Sequence, residues 1–251
     1  EQLRRALTKD TILISIMGVN NEAGTIMPVG EIARMKDEFN RVHGTNVWLH
    51  SDAVRALGKV PVSVKKEWCG VDFISASGHK IHGPKGIGAL YAKKGLNLKP
   101  FMVGGGQERH MRSGTENTPG IIGFGLAAKI ALDNFEDRRA AMTAARKHLL
   151  EGIKQEIPDV LINSPEDETC CPSVLNVSFM GTRGEVILHT LEQDGIFVST
   201  GSACSSNKKG QSHVLTAMGL NDKEIESAVR FSFSEFNTVE EMDYVLDKVK
   251  R

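Results

Sequence analysis

Residues 11–19 (TILISIMGV) form an apolar, β-branched run, the pattern of a strand buried in a sheet. Ahead of it, residues 1–7 read as the tail of a helix, so the chain opens as though in the middle of a fold. Behind it, residues 29–43 carry Ile32, Met35, Lys36 and Phe39 at helical spacing. Further strands are predicted near residues 47–50, 71–76 and 87–92. Strands that alternate with helices favour a parallel sheet covered on both faces. Past the glycines at 104–106 the pattern changes, and residues 119–157 are almost continuously helix-favouring, which suits a helix pair or one bent connector. Short strands follow near 160–163, 173–179, 197–199 and 229–233, alternating with helices near 184–194 and 239–250. Thr238, with Glu241 three residues on, opens the last helix with a capping box. The reading is α/β: a large, mainly parallel domain over 1–120, a helical connector over 121–157 and a smaller α+β domain over 158–251.

Composition narrows the class. A chain of 251 residues buries roughly 70% of its unfolded surface and needs no staples. Lys plus Arg and Asp plus Glu each number 31, so overall charge suggests neither a nucleic-acid nor a membrane-surface partner. No apolar run approaches the ~20 residues a bilayer demands, and a soluble cytoplasmic protein is the expectation. Cys69, Cys170, Cys171 and Cys204 are too few and too unevenly spaced for a disulfide framework, and no ligand pattern for zinc accompanies them, so no metal is expected.

Three predicted strand ends carry the chemistry. Residues 75–88 (SASGHKIHGPKGIG) end a β-branched strand in a Ser-Gly-His-Lys turn whose glycines let the backbone pass close to something bulky. Lys80 there has the setting of a Schiff-base lysine, with hydroxyl and imidazole donors suited to a phosphate; taken alone, an exposed loop lysine is an equal reading. Asp52 ends another predicted strand, at the edge where open α/β sheets gather ligands. A carboxylate there can keep the pyridine nitrogen of pyridoxal phosphate (PLP) protonated; the plain alternative is a helix N-cap. Asn21 follows the first strand, in what would otherwise be an ordinary turn.

These segments, in this order, resemble the cysteine desulfurases of the NifS and IscS type, class-V members of the fold-type-I PLP enzymes. The resemblance runs over nearly the whole chain, through VNNEAGT (19–25), HSDAVRALGK (50–59), SGHKIHGPKGIGALY (77–91), GGGQERHMRSGTENTPGIIGFG (104–125), LNVSF (175–179), STGSACSS (199–206) and RFSF (230–233). It implies that Lys80 holds the cofactor, that Asp52 pairs with its ring nitrogen, and that Asn21 lies near its phenolic oxygen and the substrate carboxylate. Ser77 and His79 would bind the phosphate, with Thr115 reaching the phosphate of the other subunit of a homodimer. Arg230 would fork onto the carboxylate of L-cysteine. Cys204, among small residues with no apolar neighbours to bury it, would accept the sulfur as a persulfide and pass it to a protein acceptor or scaffold. The other three cysteines match no family role and read as structural.

Two departures stand out. The phosphate cradle and ring-stacking histidine that the family supplies upstream are not in this chain, and complete members are about half as long again. Arg55 stands where the family usually has a glutamine on the phenolic oxygen of PLP; it either donates that bond, bringing a fixed positive charge, or turns away to solvent. The competing readings are another fold-type-I enzyme, a selenocysteine lyase or an aminotransferase, and a folded fragment without activity. Cys204 separates the leading reading from an aminotransferase, which has no use for that thiol.

Overall fold

The computed structural model of the protein describes residues 1–201 and 212–251. They form two compact units, residues 1–18 with 28–133 and residues 19–27 with 134–251.

The first unit contains α1 (Gln2–Ala6), β1 (Leu13–Met17), α2 (Val29–His43), β2 (Trp48–Asp52), β3 (Phe73–Ser77), β4 (Gly88–Ala92) and α3 (Thr118–Asp133). Its sheet has the order β1-β2-β3-β4. The first two pairings are parallel and the third is antiparallel, so the sheet is mainly parallel, as expected, with one antiparallel edge strand. The cause is connection length. A parallel return needs a crossover of a dozen or more residues, and β1 reaches β2 through α2, whereas the short link 78–87 turns the chain straight back into β4.

Side chains alternate across the sheet. Ile14, Leu49, Ser51 and Ile74 are buried on one face. The other face carries Ser15, His50, Asp52, Ser75 and Ser77, and leaves Leu13, Met17 and Leu90 exposed. The run 11–19 therefore buries one side of a five-residue strand rather than both. Helix α2 buries Val29, Ile32 and Ala33 and ends on Gly44, in the left-handed conformation that glycine adopts at low cost. At its start, a Cβ on Gly30 would collide with the carbonyl oxygen of Glu67. Because that neighbour is backbone and cannot swing aside, Gly30→Ala is expected to lower stability by about 1–3 kcal/mol, measured as the shift of a urea-unfolding midpoint; an unchanged midpoint would show that α2 does not sit this close.

The second unit contains α4 (Phe135–Glu156), β5 (Val160–Ile162), β6 (Val174–Phe179), α5 (Gly184–Gln193), α6 (His213–Ala217), α7 (Asp222–Glu226), β7 (Ala228–Ser232) and α8 (Val239–Val249). Its antiparallel sheet has the order β5-β6-β7. The central strand β6 is buried at every position. Leu149 and Ile153 of α4, Leu175 and Val177 of β6, Val229 and Phe231 of β7 and Leu246 of α8 share one core. Thr238 and Glu241 make the expected capping box.

The helical stretch 119–157 breaks at Asn134, whose backbone leaves the helical region; α3 belongs to the first unit and α4 to the second. The strand expected at 197–199 is only an isolated bridge between Ser199 and Arg230. Their two reciprocal backbone hydrogen bonds extend no further, too short a ladder to count as a strand.

Candidate active-site residues

In the first unit, β2 and β3 run parallel and end at one edge of the sheet, with Asp52 and Ser75 as register partners. Asp52 is half-buried. Its Oδ1 accepts the backbone N–H of Val54 at 2.8 Å, and its Oδ2 takes no hydrogen bond among the described residues. The N-cap alternative is thus partly realised: one oxygen fastens the following turn while the other stays open toward the less covered sheet face. Arg55 is half-buried in that same turn.

One strand over, Ser77 closes β3 and its Oγ lies 2.7 Å from His79 Nδ1. A 3₁₀ turn, Gly78–Ile81, carries His79 and Lys80 directly after it. Backbone bonds hold this turn, from Gly78 N to Ile87 O at 3.0 Å and from Gly83 N to Gly78 O at 2.9 Å. Lys59 adds a side-chain bond, its Nζ donating to the Lys80 carbonyl at 2.7 Å. The loop returns so tightly that a Cβ on Gly88 would stand 2.6 Å from the Ala76 oxygen, so only glycine fits. Thr115 lies on the exposed loop before α3.

These residues suit PLP. The open carboxylate oxygen of Asp52 matches a protonated ring nitrogen, the amine of Lys80 matches an aldehyde, and the Ser77–His79 pair offers donors to a phosphate. Lys80, Asp52, Ser77 and His79 are brought to one sheet edge, as the motif order implied.

In the second unit, the turn after residue 19 is built by Asn20. Its Oδ1 accepts from the N–H groups of Glu22 and Ala23 at 2.9 and 2.8 Å, an Asx turn. Gly24 follows with φ +79°, where a Cβ would press on Val174 at 2.9 Å. The turn presents Asn21, and the Arg230 guanidinium donates from Nη1 to its carbonyl at 3.0 Å. Arg230 is 4% exposed, on β7, which removes the reading of a surface-paired arginine. Glu22, also buried, accepts the Ser212 hydroxyl with its side chain and Asn176 Nδ2 with its carbonyl.

Cys204 lies outside the described residues. Cys171 is fully buried, its Sγ 3.2 Å from Ser173 Oγ, and burial pushes the half-buried Cys170 thiol above its ordinary pKa, as expected of structural cysteines. Cys69 is exposed, so packing does not account for it.

In the first unit His50 and Lys59, and in the second Asn20 and Glu22, make bonds that sequence reasoning did not assign. For Asn20 a signal existed, the Asn-x-x-x-Gly spacing of a turn closed by its own side chain. For the others the partner lies far along the chain, and no local pattern marks it.

The profile of the family described as Aminotransferase class-V matches residues 1–245. The chain belongs to the class-V aminotransferase family. Within it, the chain is 42% identical over 248 residues to a cysteine desulfurase IscS of Clostridium botulinum, an alignment covering 98% of this chain and 60% of that protein. A solved NifS-like protein superposes with a TM-score of 0.88 at 39% identity, over 99% of this chain and 63% of the other. A NifS-like protein from Rickettsia africae gives 0.85 at 31%, over 98% and 63%. The chain therefore spans about 60% of the length of the curated relatives it matches. The α/β class, with a mainly parallel sheet in the first unit, agrees with these members of the family. No helix among the described residues is long and apolar enough to cross a membrane.

Proposed function

We propose that the protein to which this chain belongs is a PLP-dependent cysteine desulfurase, converting L-cysteine to L-alanine and holding the sulfur as a persulfide on Cys204. The observation that carries the cofactor part is the edge shared by β2 and β3, where Asp52 keeps one carboxylate oxygen open and Lys80 follows the Ser77–His79 pair. When bound, PLP supplies an electron sink for the substrate's α carbon. Asp52 would hold the proton on the ring nitrogen, Lys80 would anchor the cofactor and move the substrate's α proton, and Ser77 with His79 would bind phosphate. Thr115 would do the same across a homodimer, a state supported by the exposed apolar residues Ile122, Leu126 and Leu132 of α3.

On the substrate side, Arg230 and Asn21 would take the carboxylate. Arg230 is already oriented by its bond to the Asn21 carbonyl, so less side-chain entropy is lost on binding. Arg55 would donate to the phenolic oxygen of the cofactor, its charge favouring the phenolate. The Cys204 thiolate would attack the substrate sulfur. The new bond is S–S, the bond broken is C–S, and its electron pair stays with the three-carbon remainder, which takes a proton and leaves as alanine. The persulfide would then pass to a protein acceptor or scaffold in iron-sulfur cluster or thiolation chemistry. The names of the relatives, cysteine desulfurase IscS and NifS-like protein, support this choice over an aminotransferase.

The test incubates the protein with PLP, reduces with borohydride and maps the label by peptide mass, then adds L-cysteine to an unreduced sample. The expected result is label on Lys80, alanine release, and one persulfide on Cys204. Cys204→Ser should keep the label and lose the persulfide. Label spread over surface lysines, or alanine formed without a persulfide, would sink the proposal.

A further inference from the structure

On the sheet face that carries Asp52, His50 bridges three strands. Its Nδ1 lies 2.8 Å from Ser15 Oγ on β1, and its Nε2 lies 3.1 Å from Ser75 Oγ on β3. Ser15 is the direct register partner of His50, and Ser75 is the register partner of Asp52. The ring therefore leans across β2 toward the hydroxyl that stands beside Asp52. Successive residues on one face of a strand are roughly 6.6 Å apart, so His50 forms the layer immediately behind the carboxylate. On its other side Trp48 and Phe73 meet edge-to-face, with ring centroids 5.6 Å apart, and close the layer with an apolar wall.

We propose that His50 is a positioning residue for Asp52, acting through the Ser15–His50–Ser75 ladder; the inference rests on the cofactor reading above. Asp52 has one oxygen tied to Val54 N and nothing else among the described residues to fix its direction. Its aim toward a ring nitrogen then depends on where the end of β2 sits between β1 and β3. A stiff imidazole bonded at both nitrogens sets that spacing. Each serine hydroxyl can donate or accept, so the ladder stays closed in either tautomer of the ring.

The experiment compares wild type, His50→Phe, His50→Gln, Asp52→Asn and the double variant His50→Phe/Asp52→Asn in the full chain. Each is titrated with PLP, followed by its visible band and by the borohydride label on Lys80, with thermal unfolding recorded beside it. Losing both ladder bonds is expected to weaken PLP binding roughly tenfold and to move the visible band, because a misdirected carboxylate no longer holds the ring nitrogen's proton. His50→Gln, which can still reach Ser75, should recover part of both effects. In the Asp52→Asn background, His50→Phe should change neither, since its target is gone. A shift in melting temperature with the band unmoved, or equal effects in both backgrounds, would overturn the inference and leave the cofactor reading standing. Wild type without label on Lys80 would overturn that reading and the inference with it.

Discussion

A Lys80→Ala chain is expected to retain none of the borohydride-fixed cofactor that wild type holds, while still folding. The first half follows from placement: Lys80 comes directly after the Ser77–His79 pair, whereas the neighbouring amine of Lys59 is engaged with the Lys80 carbonyl. The second follows from how the turn is fastened. Its anchors use backbone N–H and C=O groups, from Gly78 to Ile87 and from Gly83 to Gly78, and the Lys59 ammonium grips the Lys80 carbonyl rather than its side chain. Truncation at Lys80 leaves all three bonds in place. Mass spectrometry of the reduced, digested chain gives the readout, with circular dichroism for the fold. Label at wild-type stoichiometry in Lys80→Ala would remove Lys80 from the site.

Lys36→Met is expected to destabilise the first unit by about 3–5 kcal/mol. The Lys36 side chain is 3% exposed and its ammonium is bonded three ways, to Gly70 O at 3.0 Å and to Asp72 Oδ2 and Asp37 Oδ1 at 2.9 Å each. Asp72 is nearly as buried, and accepts one further bond from Leu49 N at 2.8 Å. Removing the ammonium leaves a buried carboxylate whose remaining cation, Lys93, is half-exposed and 3.9 Å away. That unpaired charge, not the loss of the pair's attraction, makes the cost large. Asp72→Asn in the Lys36→Met background should recover part of the loss, because the amide oxygen can still accept from Leu49 N and no charge stays buried. Urea unfolding of the two variants measures both effects. A single-variant loss below about 1 kcal/mol would mean that the carboxylate finds water or another partner.

The buried Lys36 also marks the limit of reading by periodicity. Its spacing with Ile32 and Phe39 placed it correctly on the inner face of α2, but a lysine there looks like an error until Asp72, far along the chain, is seen beneath it. The same holds at the candidate site. The turn chemistry of residues 77–88, the position of Asp52 at a strand end and the capping box at Thr238 were all legible, because each is decided by residues within a few positions of one another. The antiparallel return of β4 within the mainly parallel sheet follows from connection length, readable in principle from the short link before it. The failed strand at 197–199 was a miss of partner. A Phe-Val-Ser triplet becomes a strand only when a neighbour offers a ladder, and here Arg230 offers a single bridge.

The order of elements, the turns that end β2 and β3, and the residue types presented there (a carboxylate, an amine, a hydroxyl and an imidazole) are written into the chain itself. Those depend on local sterics, glycine conformations and alternation, which travel with the chain. Folding adds which oxygen of Asp52 stays open, the burial of Arg230 against the Asn21 carbonyl, and the hold of Ser15 and Ser75 on His50. Each of these is a hydrogen bond whose geometry depends on strand register or on packing between distant segments, and a one-residue slip in register would turn the same side chains to the other face.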